Sequence, residues 1–417
     1  MKKLIFGLCL ILLAGCSSFE HRLADDLVRS DTVKLNRCEI EGFAYSGIDA
    51  GLKKPQILKV LMIHGVGTHH PGYSDKLQQN LANNIGMNVI SRRPKNIKLL
   101  DAADHHTPIG NLRITFWQNE DASKNMLFYE LTWSEITTPD KQVIAFDTTE
   151  QYSEFRVPFN NMMKEFLDNV LPDPLVYVTD PHNLILNSSR QSICWMLKTN
   201  WHNIPDNQSK VCNITVEEQA KQLADQNLLF ITHSLGSKIL MDSITGIAEQ
   251  TAASSIAASD RQALQKKKIT IFMLANQLPI LQIPHPEPKV HNQINAYCTP
   301  QGKKYQNRIF QGLNIVAFSD PNDILSYAIP QGFTDKYIDS RICPFVTNVS
   351  VNVAPEISAF GIGIVNPVSA HVDYDSSPKV IDLITQGTAD FSQNETLQKQ
   401  CRFIRMKNDN LMRPFRP

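Results

Sequence analysis

From residue 56 onward the chain alternates two kinds of segment, and this limits the folds open to it. ILKVLMIHG (57–65) is a buried-strand run that ends at Gly65. SDKLQQNLANNIG follows, with Leu77, Leu81 and Ile85 at intervals of four, which predicts an amphipathic helix starting at Ser74 or Asp75. LRITFWQ and MLFYELTWS read as strands, VEEQAKQLADQ as a helix, and LLFITHSLGSKIL (228–240) as a strand, a sharp turn and a helix. KITIFMLANQLP, GLNIVAFSD and VTNVSVNVAP are further strands, and SPKVIDLITQG is a late helix with Pro378 near its start and Gly387 past its end. Strands covered on both faces read as near-continuous apolar runs, and parallel neighbours need crossover helices between them. The pattern predicts an α/β fold, a mostly parallel central sheet with helices on both faces.

Residues 137–214 interrupt the alternation. They show no clear strand pair, and Phe155, Phe159, Met162, Phe166 and Val170 recur at spacings of three and four. This predicts a helical insertion folded over the sheet as a cap, its apolar stripe turned inward. Residues 16–50 are polar and read as a tether, 51–390 as the folded domain, and 391–417 as a C-terminal tail.

The N-terminus carries a separate signal. MKKLIFGLCLILLAGC opens with two lysines and continues with a mostly apolar run, Leu4 to Leu13, too short to span a bilayer and suited to export. Leu13-Ala14-Gly15-Cys16 closely resembles the lipobox of bacterial lipoproteins. That resemblance implies a signal peptide over 1–15, cleavage before Cys16 and lipidation at Cys16. With Ser17 next rather than aspartate, it further implies the outer membrane of the cell envelope. Removal of the first 15 residues leaves 402 of 417, enough for a large core. The whole chain has 41 basic and 41 acidic residues; loss of Lys2 and Lys3 leaves 39 against 41, a formal charge of −2. Such a balance offers no basic field for nucleic acid. Cys38, Cys194, Cys212, Cys298, Cys343 and Cys401 remain besides Cys16, an even set that predicts disulfides in an exported chain. Cys194 and Cys212 are near enough in sequence to close one loop.

Four stretches carry candidate chemistry. In LLFITHSLGSKIL, Ser234 sits at a strand-to-helix turn, the place of a nucleophile elbow; the alternative is a serine at a helix N-cap. The elbow pattern is Gly-x-Ser-x-Gly. Gly236 fills its second glycine, but Thr232 stands at the first and predicts a strand set slightly further from the helix. His371, in NPVSAHVDYDSSPKV, is the one histidine of twelve that follows residue 323, so it is the base candidate if the chain order is Ser, acid, His. In NIVAFSDPNDILSY two aspartates follow a strand; Asp323, beyond the Asp-Pro turn, is preferred as the acid, with Asp320 as the alternative. In VLMIHGVGTHHPGYS a strand ends in His64-Gly65-Val66-Gly67, where Gly65 lets backbone come close and the Val66 amide is a candidate oxyanion donor beside that of Leu235.

Together and in this order, the four stretches resemble the α/β-hydrolase superfamily, serine hydrolases of the lipase and esterase kind, over about residues 56 to 388. The resemblance implies an α/β-hydrolase fold with a cap at 137–214 and acyl transfer through an acyl-enzyme. Ser234 would be the nucleophile, His371 the base, Asp323 the group that orients it, and Gly65, Val66 and Leu235 the oxyanion hole. It implies no cofactor, an ester or lipid-like small molecule as substrate, and a membrane met through the N-terminal lipid. A thioesterase or amidase on the same triad, and a binding module that keeps the fold without catalysis, are the alternatives. His69-His70 and Asp104-His105-His106 lack the helical spacing of metal ligands, so no metal site is expected. An inward apolar cap would favour medium or longer acyl chains over acetate.

Overall fold

The computed structural model describes residues 37–179, 182–359 and 362–407, so Cys16 lies outside the described residues. In chain order the strands are β1 (Cys38–Phe43), β2 (Leu58–Ile63), β3 (Asn88–Val89), β4 (Lys95–Leu100), β5 (Pro108–Gln118), β6 (Asn125–Thr132), β7 (Gln208–Lys210), β8 (Asn227–His233), β9 (Lys268–Leu274), β10 (Gly312–Ser319), β11 (Pro344–Val351), β12 (Glu356–Ala359), β13 (Ile362–Val365) and β14 (Arg402–Lys407). Twelve of them form one sheet in the order β14-β1-β11-β10-β9-β8-β2-β6-β5-β4-β7, with β3 paired to β5. The run β11-β10-β9-β8-β2-β6 is parallel throughout. Antiparallel pairs lie on both sides of it: β5 with β6 and β4, and β1 with β11. The fold is thus mixed α/β around a mostly parallel sheet.

The two-residue period of the central strands divides the core. Leu61 and Ile63 of β2 and Phe230 of β8 face one cluster, while Val60, Met62, Leu229 and Ile231 face the other. The first cluster is closed by helices His182–Lys198, Val216–Asp225 and Gly236–Ala253. The second is closed by helices Ile48–Leu52, Asp75–Asn84 and Pro378–Gln386. Leu77 and Leu81, two of the periodic residues read from the sequence, are buried on that second face. Among the described residues no helix is long and apolar enough to cross a membrane.

Three regions differ from the sequence reading. Residues 38–50 are not tether: β1 lies between β11 and β14, and Tyr45 and Ile48 are buried. Residues 391–407 are not tail. They supply helix Glu395–Gln400 and β14, and a Cys38–Cys401 disulfide joins the two ends of the domain. The insertion is split in two. Helix His182–Lys198 packs beneath β2, β5 and β6, with Ile185, Ile193 and Met196 buried, and a Cys194–Cys212 disulfide pins its far end as expected. A third disulfide joins Cys298 to Cys343.

The earlier part of the insertion forms helices Thr138–Ile144, Pro158–Val170 and Pro172–Tyr177, the last of which packs Val176 and Tyr177 into the first cluster. Its expected stripe does not point inward. Phe155 is 89% exposed and Met162 46%, whereas Val170 is buried and Phe166 half-buried; the side chain of Phe159 lies outside the described set. The same segment carries a cluster of charges. Asp147 holds Arg156 at 2.6 Å and Lys164 at 3.4 Å, and Lys164 also reaches Asp168 at 3.4 Å, with both carboxylates mostly shielded. Asp147 and Asp168 thus share Lys164 between them.

Candidate active site

β8 runs straight into the turn at Ser234. The Ser234 N–H donates to the Leu274 carbonyl at 2.9 Å, which extends the β8–β9 ladder by one residue. The backbone then enters the left-handed region at Ser234, with φ of 53°, before helix Gly236–Ala253 begins. A non-glycine residue held there carries strain on the order of 1–3 kcal/mol, which persists only where the surroundings enforce it.

Two glycines enforce it. A Cβ on Gly65 would lie 2.4 Å from the Ser234 Cβ, and a Cβ on Gly236 would lie 2.5 Å from the Ile63 carbonyl oxygen. The tight approaches of the turn therefore fall at the end of β2, not at Thr232. Thr232 is fully buried in the ladder, paired with Ile63 and Met273, its hydroxyl 3.5 Å from the Phe272 carbonyl oxygen. A β-branched residue suits that strand position, so the departure from glycine has room.

Of the two aspartates, only Asp323 contacts His371 among the described residues. His371 Nδ1 donates to Asp323 Oδ2 at 2.8 Å, and the Leu325 N–H donates to Asp323 Oδ1 at 2.9 Å. Burial alone would raise the Asp323 pKa; the hydrogen bond and charge of His371 and the Leu325 amide outweigh it and hold the carboxyl below its ordinary value. Asp320 is used otherwise. It accepts from Asn322 N–H at 2.8 Å and Val353 N–H at 2.7 Å, while its own N–H donates to the Tyr374 hydroxyl at 2.7 Å. It fastens the end of β10 to the chain beyond β11 and does not touch His371.

His371 lies in the last turn of a six-residue helix, Pro367–Val372. With its Nδ1 proton given to Asp323, Nε2 is left as an acceptor. His371 Nε2 and Ser234 Oγ are both buried and have no hydrogen-bond partner among the described residues. Leaving such groups unpaired costs about 1–3 kcal/mol each. His371 is brought to the elbow by the residue before the serine: His233 Nε2 donates to the His371 carbonyl at 2.8 Å, and the two rings are 5.1 Å apart.

The glycine loop after β2 is braced from below. His64 Nδ1 donates to the Gly65 carbonyl at 2.7 Å, and Nε2 accepts the Trp133 N–H at 3.0 Å. The Trp133 indole N–H donates to the His64 carbonyl at 3.1 Å, and the rings stack at 4.7 Å. Burial keeps His64 neutral, its pKa well below the ordinary value. The cap takes the next amide, since Gly67 N–H donates to Asp173 Oδ2 at 2.5 Å and that carboxylate pairs with Lys141 at 3.0 Å. The N–H groups of Val66 and Leu235 are paired with no acceptor among the described residues. Both adjoin the elbow, Val66 next to Gly65 and Leu235 next to Ser234.

A cavity of about 190 Å³ opens on the helix Asp75–Asn84 side of the elbow, lined among others by His64, His69, Tyr73, His233, Leu274 and Val372. His69 Nδ1 donates to the Gly67 carbonyl at 3.1 Å, and its burial lowers its pKa to about 4, so this lining is uncharged imidazole. Among the described residues no group of three or more His, Cys, Asp or Glu side chains is placed to hold a metal ion.

Three supporting residues escaped the sequence. His233 was visible as a neighbour of Ser234, but nothing local showed its bond to His371. Trp133 and Asp173 belong to distant segments that only the fold brings to the glycine loop. No protein-family model, no curated protein and no solved structure matches this chain.

Proposed function

We propose that this chain is a serine hydrolase with an α/β-hydrolase fold, cleaving carboxylic esters through an acyl-enzyme. One observation carries the reading. An ionised, buried Asp323 orients His371, while His371 Nε2 and Ser234 Oγ, on a strained turn, are left unpaired. Strain and orphaned polar atoms are costly, and their occurrence on a serine and a histidine linked to a buried aspartate has a ready account in catalysis. The position of Ser234 at the end of a central parallel strand, before a helix, agrees with it.

In this reading Ser234 Oγ attacks the ester carbonyl carbon as His371 Nε2 removes its proton. Asp323 stabilises the imidazolium that forms. The carbonyl oxygen, now negative, receives the N–H groups of Val66 and Leu235. The C–O bond to the leaving alcohol breaks as His371 returns the proton to it. A water then repeats the sequence on the acyl-serine, releasing the acid and restoring Ser234. The same set would serve a thioester or an amide. With Cys16 lipidated, the enzyme would be held at the bacterial envelope, on the outer membrane.

Treatment of the purified mature protein with a fluorophosphonate tests the reading directly. A single adduct on Ser234, absent from Ser234→Ala, is expected, together with loss of p-nitrophenyl ester hydrolysis by several orders of magnitude in that variant. Near-normal turnover in Ser234→Ala removes the serine from the mechanism. A wild-type protein that neither labels nor turns over esters favours the binding-module alternative.

A further inference from the structure

We propose that His233 is a positioning residue for this reaction, a neutral imidazole whose Nε2–H grips the backbone carbonyl of His371 and sets the base against the nucleophile. The inference rests on the reading of Ser234 and His371 as nucleophile and base.

The need for such a grip follows from the topology. His371 lies 20 residues beyond the end of β11 at Val351, and the ribbon β12–β13 in between pairs with itself, not with the main sheet. The helix that carries it has six residues. In so short a helix the last carbonyls have no intrahelical partner, and that of His371 is one of them. Asp323 fixes the rotation of the imidazole through Nδ1, but it does not fix where the backbone of residue 371 sits. The 2.8 Å bond from His233 does. Because His233 is covalently next to Ser234, the link from nucleophile to base runs through one peptide bond, one imidazole and one hydrogen bond.

The chemistry of the ring suits the task. A carbonyl only accepts, so Nε2 must carry the proton and the neutral ring leaves Nδ1 bare. Burial first, and then the neighbouring His371, push the His233 pKa down to about 3. The residue therefore stays neutral at the working pH and adds no second positive charge beside the imidazolium of His371. The bland account is that His233 simply ends a strand and fills space. It predicts that an apolar residue of similar size would serve, whereas the positioning role needs a donor at the Nε2 point.

Two substitutions separate these accounts. Glutamine reaches a similar distance with an N–H donor; leucine fills space without one. His233→Leu is expected to lower kcat on a p-nitrophenyl ester roughly 10- to 100-fold with KM changed less than about threefold, as a small misplacement of a catalytic group does. His233→Gln is expected to recover most of that loss, with both variants melting within a few degrees of each other. The rate of fluorophosphonate labelling at Ser234 should follow the same order. Equal rates in wild type and His233→Leu overturn the proposal, as does a His233→Gln no better than His233→Leu at matched stability. Failure of the wild type itself to label at Ser234 overturns the underlying reading and this inference with it. Should neither variant fold, long-range ¹H–¹⁵N spectra of histidine-labelled wild type decide. A neutral Nε2–H tautomer at His233 from pH 5 to 8 supports the grip, and an Nδ1–H tautomer or a titration in that range overturns it.

Discussion

Asp323 Oδ2 lies 2.8 Å from His371 Nδ1, and both side chains are buried. Asp320, three residues earlier, spends its carboxylate on the backbone of Asn322 and Val353. The two aspartates therefore predict different phenotypes. Asp323→Asn is expected to lower kcat on the order of 10⁴-fold, because an amide favours the wrong tautomer of His371. Asp320→Asn weakens a charge-assisted bond and should cost about 1–3 kcal/mol of stability with much of kcat retained. Steady-state kinetics paired with thermal melts checks the ranking, and the reverse order would move the orienting role to Asp320.

The Asp323–His371 hydrogen bond also shapes stability against pH. Its folded pKa is lowered, so the folded state binds its proton less readily than the unfolded chain. Its contribution is fully present above the unfolded value of about 4 and is lost as pH falls through the lower folded value. Relative to wild type, Asp323→Asn should lose less stability between about pH 5 and pH 3. Parallel acid-denaturation curves for the two proteins would contradict the assignment.

The elbow predicts which small residues matter. Gly65→Ala places a methyl group 2.4 Å from the Ser234 Cβ, and neither strand can yield because each is buried on both sides. Loss of Ser234 labelling, of soluble protein, or of both is expected. Thr232→Gly, which restores the common elbow pattern, should leave labelling close to wild type. It should cost about 0.5–1 kcal/mol, the usual effect of glycine in a strand. A large gain in kcat for Thr232→Gly would mean that Thr232 crowds the turn after all.

These contrasts mirror what the chain disclosed as sequence. The central strands were legible because burial on both faces leaves near-continuous apolar runs, as in LKVLMI. Ser234 and Asp323 could be picked out because they follow such runs, and His371 because it is the one histidine after residue 323. β4 was not legible, because KNIKLL mixes lysines into a half-exposed strand. β1 and β14 were hidden for another reason: their pairing is made across 363 residues, with Cys38 and Cys401 at its edge. The orientation of the cap helix was misread because periodicity shows that a helix has an apolar face, not which way it points.

Membrane attachment by the N-terminal cysteine has its own test. No helix among the described residues can span a bilayer, and Leu13-Ala14-Gly15-Cys16 carries the proposed lipid. One acyl chain gives marginal binding, whereas several give stable anchoring. Cys16→Ser should therefore leave the protein in the aqueous phase of a detergent partition. A variant that still sediments with membranes after a high-salt wash would require another anchor.

Acyl-chain preference is where the structure changes the expectation most. A cap with Phe155 and Met162 turned inward would have favoured medium or long esters, but Phe155 and Met162 stand on the outside and line no pocket at the elbow. The cavity beside His233 is small, about 190 Å³. Its wall is partly imidazole and tyrosine, which give little to a long methylene chain. Each methylene that the cavity cannot enclose forgoes about 0.8 kcal/mol of transfer free energy. Along a p-nitrophenyl series, kcat/KM should rise no further than about butyrate or hexanoate and then fall. Leu77→Trp, which narrows the cavity from the helix Asp75–Asn84 side, should shift the optimum toward acetate. A kcat/KM that keeps climbing to decanoate would place the acyl chain elsewhere, under a cap that opens.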